Sequence, residues 1–179
     1  MWELYAFWAF VPFVLTAHLG SNASGPLNVS LWSFFVIAAG FAGCAVGGLL
    51  SLKVGSARVA FAQLLASGLC CVISPFLFHA PTPLFLAFLL LWGIVVVGDS
   101  PQFSALNAQN ASPGLVGSAL TIANSIGFAI SILSIQLLNV LSARIPVEYL
   151  FVPLAIGPIL GLLALRPLLR PMTALASID

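Results

Sequence analysis

The sequence predicts an all-helical membrane protein with six transmembrane helices, and three observations carry that prediction. Hydrophobic residues make up 61% of the 179-residue chain and charged residues only 5%, where a soluble domain carries about a quarter charged residues. The mean hydropathy is +1.19. The apolar residues also gather into six runs, each close to the roughly 20 residues that a helix needs to cross the hydrocarbon layer.

These runs cover residues 2–20, 31–52, 59–78, 83–108, 115–139 and 147–165. The segments between them, SNASGPLN, KVGSA, HAPTP, NASPG and SARIPVE, carry turn residues and are too short to form domains. Residues 1–179 therefore read as one six-helix bundle with a short tail over 166–179. The opening MWELYAFWAFVPFVL lacks the basic start and the small-residue cleavage site of a signal peptide, so it is expected to be the first span.

Orientation follows from the basic residues. Six spans put Lys53, Arg58, Arg166 and Arg170 on one side and only Arg144 on the other, so both termini are expected in the cytoplasm of a cell, or bacterial inner, membrane. Trp2, Tyr5, Trp32 and Tyr149 lie near span ends, where aromatic anchors are expected. Trp92 lies mid-span, as lipid-facing bulk or as part of a cavity wall. Glu148 follows Arg144 by four residues, a spacing that suits a local ion pair. His18 and His79 sit beside loops and are expected to be solvated at the interface.

Composition excludes several function classes. A net charge of +1 offers no cationic surface for nucleic acid. Cys44, Cys70 and Cys71 fall in apolar runs without metal-ligand spacing, and read as small packing residues. No glycine-flanked serine elbow, paired metalloprotease histidines or phosphate-binding glycine loop occurs, so neither enzyme activity, a metal nor a cofactor is expected. Sequons at Asn22, Asn28 and Asn110 carry no sign of secretion, because the last falls on the expected cytoplasmic side.

The stretch from Gly98 to Gln136, GDSPQFSALNAQNASPGLVGSALTIANSIGFAISILSIQ, is polar and glycine-punctuated inside an otherwise apolar chain. Asp99 is the acid expected in a span interior, where a carboxylate is costly enough to mark function. It precedes Pro101, which removes a helix hydrogen bond and frees a carbonyl. Asp99 can serve as a proton-coupling group or as a gate residue, with Gln102 on the same face completing either site. On the fifth span, 100° per residue places Ser118, Thr121, Ser125 and Gln136 on one stripe with Asn124 and Ser131 at its edge. Val116, Leu120, Ile126, Ile130, Leu133 and Leu137 occupy the opposite side. Ser118, Thr121 and Ser125 then bond neighbouring helices or line a cavity. The amides of Asn124 and Gln136 favour a cavity or an inter-bundle surface. Pro12, Pro75, Pro153 and Pro158 add further helix-bending points.

The second span carries Ala39, Gly43 and Gly47 at four-residue spacing, a small-residue face for close helix packing. It continues into Gly48, Lys53, Gly55 and Arg58. That frame resembles the loop signature between the second and third helices of each half of major facilitator superfamily transporters, with Leu52 at its acidic position and Ser56 at its first basic position after the turn. DSPQFSA, a short proline loop and VGSALTIANSIGFAI are similar to the tenth and eleventh helices of bacterial members. The resemblance covers the chain as the C-terminal six-helix half of a twelve-helix carrier.

The resemblance implies half of a major facilitator fold, with a three-plus-three inverted repeat (1–78 and 83–165) dividing near residues 79–82. Spans one and four would line the cavity, two and five would meet the other half, and three and six would face lipid. Gln63 and Ser67 on the third span fit that allocation poorly. The expected function is secondary active transport of a small solute or ion by alternating access, with an N-terminal six-helix half or a second copy as partner. The alternative is a non-transporting membrane scaffold, assembly partner or inactive truncated product.

Overall fold

The computed structural model describes residues 1–21 and 27–169, and its regular structure there is entirely helical. The expected positions of Asn22, Arg170 and the rest of the tail lie outside the described residues. The helices are α1 (Trp2–Ser21), α2 (Val29–Ala38), α3 (Gly40–Val54), α4 (Ser56–Phe78), α5 (Thr82–Asn110), α6 (Val116–Ser142) and α7 (Ile156–Leu165). Six stretches are long and apolar enough to cross a membrane: Trp2–Ser21, Val29–Val54, Ser56–Phe78, Thr82–Asn110, Pro113–Ser142 and Val147–Leu169. Each expected run falls inside one of them. The chain has the build of a multi-pass membrane protein, in which helices satisfy their own backbone hydrogen bonds without water.

The second span is a broken helix. Asn28 caps α2 by accepting a hydrogen bond from the Leu31 N–H at 3.0 Å. At Ala39 the chain tightens, with the Ala42 N–H reaching back to the Ala39 carbonyl, and α3 continues from Gly40. Gly55, at φ 89°, then turns the chain directly into α4. This conformation suits glycine because no Cβ obstructs it.

At the centre lies α5, the most buried span, packed on α1, α2, α3, α4 and α6. Glycines set how closely it is held. A methyl at Gly93 would overlap the Val36 carbonyl of α2, and one at Gly43 of α3 would overlap the Ile94 carbonyl of α5. Gly47 and Gly98 make room for the Gln63 amide of α4, whose Nε2 donates to the Gly43 carbonyl at 3.3 Å. The Ala39, Gly43 and Gly47 register thus faces the chain's own α5 and α4. That face is therefore taken up inside the chain, while Phe41, Leu49 and Leu52 of the same span stay exposed.

The remaining helices surround that core. α1 runs along α6, and α4 packs against the last span, where Gly68 abuts Pro158 and Gly161 abuts Leu64. α6 lies at the edge: Ser131, Ser134 and Leu138 are its buried residues. Its expected apolar side and its polar stripe are both largely exposed, because only the narrow small-residue face around Gly127, Ser131 and Ser134 approaches α1 closely.

Two prolines inside helices have their freed carbonyls occupied. Pro101 cannot donate to Val97, and the Cys44 thiol of α3 points at that carbonyl with Sγ 3.9 Å away. Pro75 cannot donate to Cys71, and the Ser74 hydroxyl donates there at 2.9 Å. Such replacement is how membrane helices accept proline.

Several local expectations are corrected. His18 is fully buried, with Nδ1 2.7 Å from the Phe78 carbonyl, Nε2 3.2 Å from the Thr82 hydroxyl, and its ring stacked on Phe85. Glu148 stands 3.9 Å from His79 instead of pairing with Arg144. Trp2 packs on Gly157 and Tyr5 on Phe128, so both point into the bundle. Trp92 is completely buried.

The glycine contacts generate a stability prediction. Gly43→Ala and Gly93→Ala should each destabilise the bundle by about 1–3 kcal/mol, the usual cost of overpacking. Gly48→Ala, with open space around it, should be neutral or stabilising by up to about 1 kcal/mol. Denaturant unfolding in detergent, followed by circular dichroism, compares the three; equal effects would remove the packing role assigned to Gly43 and Gly93.

Candidate functional site

Glu3 lies in the first turn of α1, where an acidic side chain suits the helix dipole. Packing carries it well inside: only 6% of the residue is exposed. The Trp92 Nε1–H of α5 donates to its Oε1 at 2.8 Å, and the Ser67 hydroxyl of α4 donates to the same oxygen. Ser67 sits at the middle of α4, so this carboxylate is held level with the middle of that helix by groups from α4 and α5. Aromatic rings fix the indole: Phe7, Phe88 and Phe151 surround it at centroid distances of 4.6, 5.4 and 5.2 Å.

Glu3 is a second interior acid beside Asp99, overturning the expectation that Asp99 stands alone. Both carboxyl residues line one cavity of about 170 Å³, with Leu64, Val96, Phe103 and Pro158 among its walls. Asp99 is itself buried. A carboxylate in a low-dielectric interior is tolerated when hydrogen-bonded, paired or neutralised. Glu3 meets the first condition through Trp92 and Ser67. The cavity, whose lining also includes Met1, can therefore accept a proton at either of two acidic groups.

A neighbouring cavity of about 290 Å³ lies between α1, α5 and α6, and shares Met1, Trp2 and Phe103 with the first. Its polar lining is Ser104, Asn107 and Asn124, and the Asn107 amide donates to the Ala119 carbonyl of α6 at 3.3 Å. Of the residues singled out in sequence, Asp99 and Asn124 thus line adjoining cavities. Gln102 is buried one turn beyond Asp99 and lines neither. Ser118, Thr121, Ser125 and Gln136 lie exposed on α6, where Thr121 donates to its own helix at Gly117. Gly48, Lys53, Gly55 and Arg58 stand at the turn between α3 and α4, with both basic residues exposed.

Sequence reading missed Glu3 and left Trp92 undecided. The misfit of Ser67 and Gln63 on a supposedly lipid-facing span was the available signal. Ser67 holds Glu3, and Gln63 fills the α3–α5 junction with its Oε1 buried and without a hydrogen-bond partner among the described residues. Among the described residues, no group of three or more metal-ligating side chains occurs.

The hydrogen bond from Trp92 should be measurable. Trp92→Phe keeps much of the ring and removes the donor, and should destabilise the bundle by about 1–3 kcal/mol. Combined with Glu3→Gln, the loss should be less than the sum of the two single changes. A double-mutant cycle by reversible unfolding in detergent tests this; strict additivity would mean that the two side chains do not interact.

No family model, curated protein or solved structure matches the chain, so the case for its function rests on this arrangement of side chains.

Proposed function

We propose that the chain is one six-helix half of a secondary transporter, moving a small solute by alternating access and coupling it to a proton or cation at Glu3 and Asp99. The observation that carries this reading is the Glu3 carboxylate, held inside a membrane-spanning bundle by Trp92 and Ser67 and facing the same cavity as Asp99. A purely structural bundle gains little from two interior acids, which cost several kcal/mol apiece when unneutralised.

Helix packing supports a three-plus-three inverted repeat. The first span lies along the fifth as the fourth lies along the second, and the third and sixth pack on each other. The inverted repeat we propose would exchange these pairs by a pseudo-two-fold axis in the membrane plane. The resemblance of the second-span loop and the Gly98–Gln136 stretch to major facilitator carriers points the same way. The exposed polar stripe Ser118, Thr121 and Ser125, continued by Gln136, is poorly suited to lipid. We assign it to an N-terminal six-helix half or to a second copy. The exposed Lys53, Arg58 and Arg166 fall on one side, which we assign to the cytoplasm of a cell membrane of the bacterial inner-membrane type.

Three measurements test this. In proteoliposomes holding the assembled carrier, Glu3→Gln should abolish gradient-driven uptake of solutes from a panel while leaving solute exchange measurable. Asp99→Asn should do the same if it shares the proton, and should lose both activities if it is a gate; uptake unchanged in both variants would defeat the coupling role. The chain alone should carry no flux, and a cysteine at position 121 should crosslink to its partner bundle. A monomer that transports would refute the half-carrier reading, while crosslinked assemblies without flux under any gradient would favour the scaffold. Impermeant thiol reagents in intact cells should label cysteines at positions 79 and 144 and spare 53 and 110, and the reverse pattern would invert the orientation.

A further inference from the structure

A groove of about 450 Å³ runs beside the end of α4 and the start of the last span. Its floor is apolar, from Val72, Phe76 and Val152, and Phe76 is 79% exposed, facing outward from the bundle. Its mouth is polar, from His79, Glu148 and Tyr149. His79 is the residue that caps α4, and Glu148 and Tyr149 lie in the turn that opens the last span. The mouth is therefore at the level of the membrane surface and the floor runs into the hydrocarbon zone.

The polar pair is incomplete. His79 Nε2 and Glu148 Oε1 stand 3.9 Å apart, beyond hydrogen-bond length, so each retains capacity for a partner. A carboxylate, an imidazole and a phenol hydroxyl at the head of an apolar trough match a molecule with an ammonium, a phosphate and an alkyl chain in that order. The volume lies within the range of ligand clefts, about 300–1,000 Å³.

We propose that this groove binds one amine-bearing zwitterionic phospholipid. Its primary ammonium is received by Glu148 and the Tyr149 hydroxyl, its phosphate by the His79 N–H, and one acyl chain lies along Val72, Phe76 and Val152. Charge complementarity favours this occupant over a second copy of the chain, whose apolar helix would cover His79 and Glu148 without supplying either countercharge. It also discriminates between headgroups, because a quaternary ammonium has no N–H to donate. The site is independent of transport and stands apart from the Glu3 and Asp99 cavity.

Native mass spectrometry of the purified chain, released from nanodiscs with equal phosphatidylethanolamine and phosphatidylcholine of identical acyl chains, tests the proposal. The ethanolamine lipid should be retained over the choline lipid by about tenfold, the factor supplied by one charge-assisted hydrogen bond. Glu148→Gln should abolish that preference and Glu148→Asp should restore part of it. Val72→Trp should evict both lipids. Helicity and elution volume confirm that each variant is folded. Equal retention of the two lipids by the unaltered chain would overturn the proposal, as would a preference that survives in Glu148→Gln. Efficient crosslinking between copies from a cysteine at position 76 would give the groove to a second chain and overturn it equally.

Discussion

The backbone-to-backbone contact between α5 and the broken second span is the constraint on which the rest of the bundle is hung. In lipid there is no hydrophobic drive between helices, so association relies on close packing and on hydrogen bonds. Gly93 against the Val36 carbonyl and Gly43 against the Ile94 carbonyl supply the first at two adjacent levels. The groups that define the candidate site follow from this grip. Trp92 immediately precedes Gly93, and Asp99 immediately follows Gly98. Successive residues point about 100° apart on a helix. With Gly93 turned to α2 and Gly98 to α4, the indole is free to reach Glu3 and the carboxyl to face the cavity.

Hydrogen-bond accounting in the absence of water explains much of the remaining polar chemistry. Pro101 and Pro75 each remove one backbone donor, and the carbonyls so freed are met by Cys44 and Ser74. Cys71, whose carbonyl Ser74 takes, is one turn beyond Ser67 on the helix that holds Glu3. Both interruptions are sealed by small groups, a thiol and a hydroxyl. The thiol of Cys44 has a definite task here, although its sequence neighbourhood marked it only as a small residue.

Span number and placement were legible because each depends on a local quantity, the length of an apolar run. Asp99 was legible as well, since it falls inside a run long enough to span, where a carboxylate is costly. Glu3 was not. An acid in the first turn of a helix reads as interfacial, yet its depth is set by how α1 seats in the bundle, and the level match with Ser67 is a tertiary fact. His18 escaped for the same reason at the other end of α1. The small-residue register at Gly43 announced a close neighbour without naming it, and the neighbour is α5 rather than a second bundle. On α6 periodicity separates a polar side from an apolar one. Both nevertheless face outward, because periodicity reports a difference between faces and not which of them is covered.

The turn at Gly55 carries a mechanical consequence. One residue joins α3 to α4, and its positive φ confines that residue to conformations most side chains avoid. That one pair of backbone torsions sets the angle between the two helices. α3 bears on Ile94 on one side of this turn, and α4 carries the Ser67 hydroxyl on the other. A Cβ at residue 55 would strain this joint, which connects the helix that grips α5 to the helix that carries the Ser67 donor to Glu3.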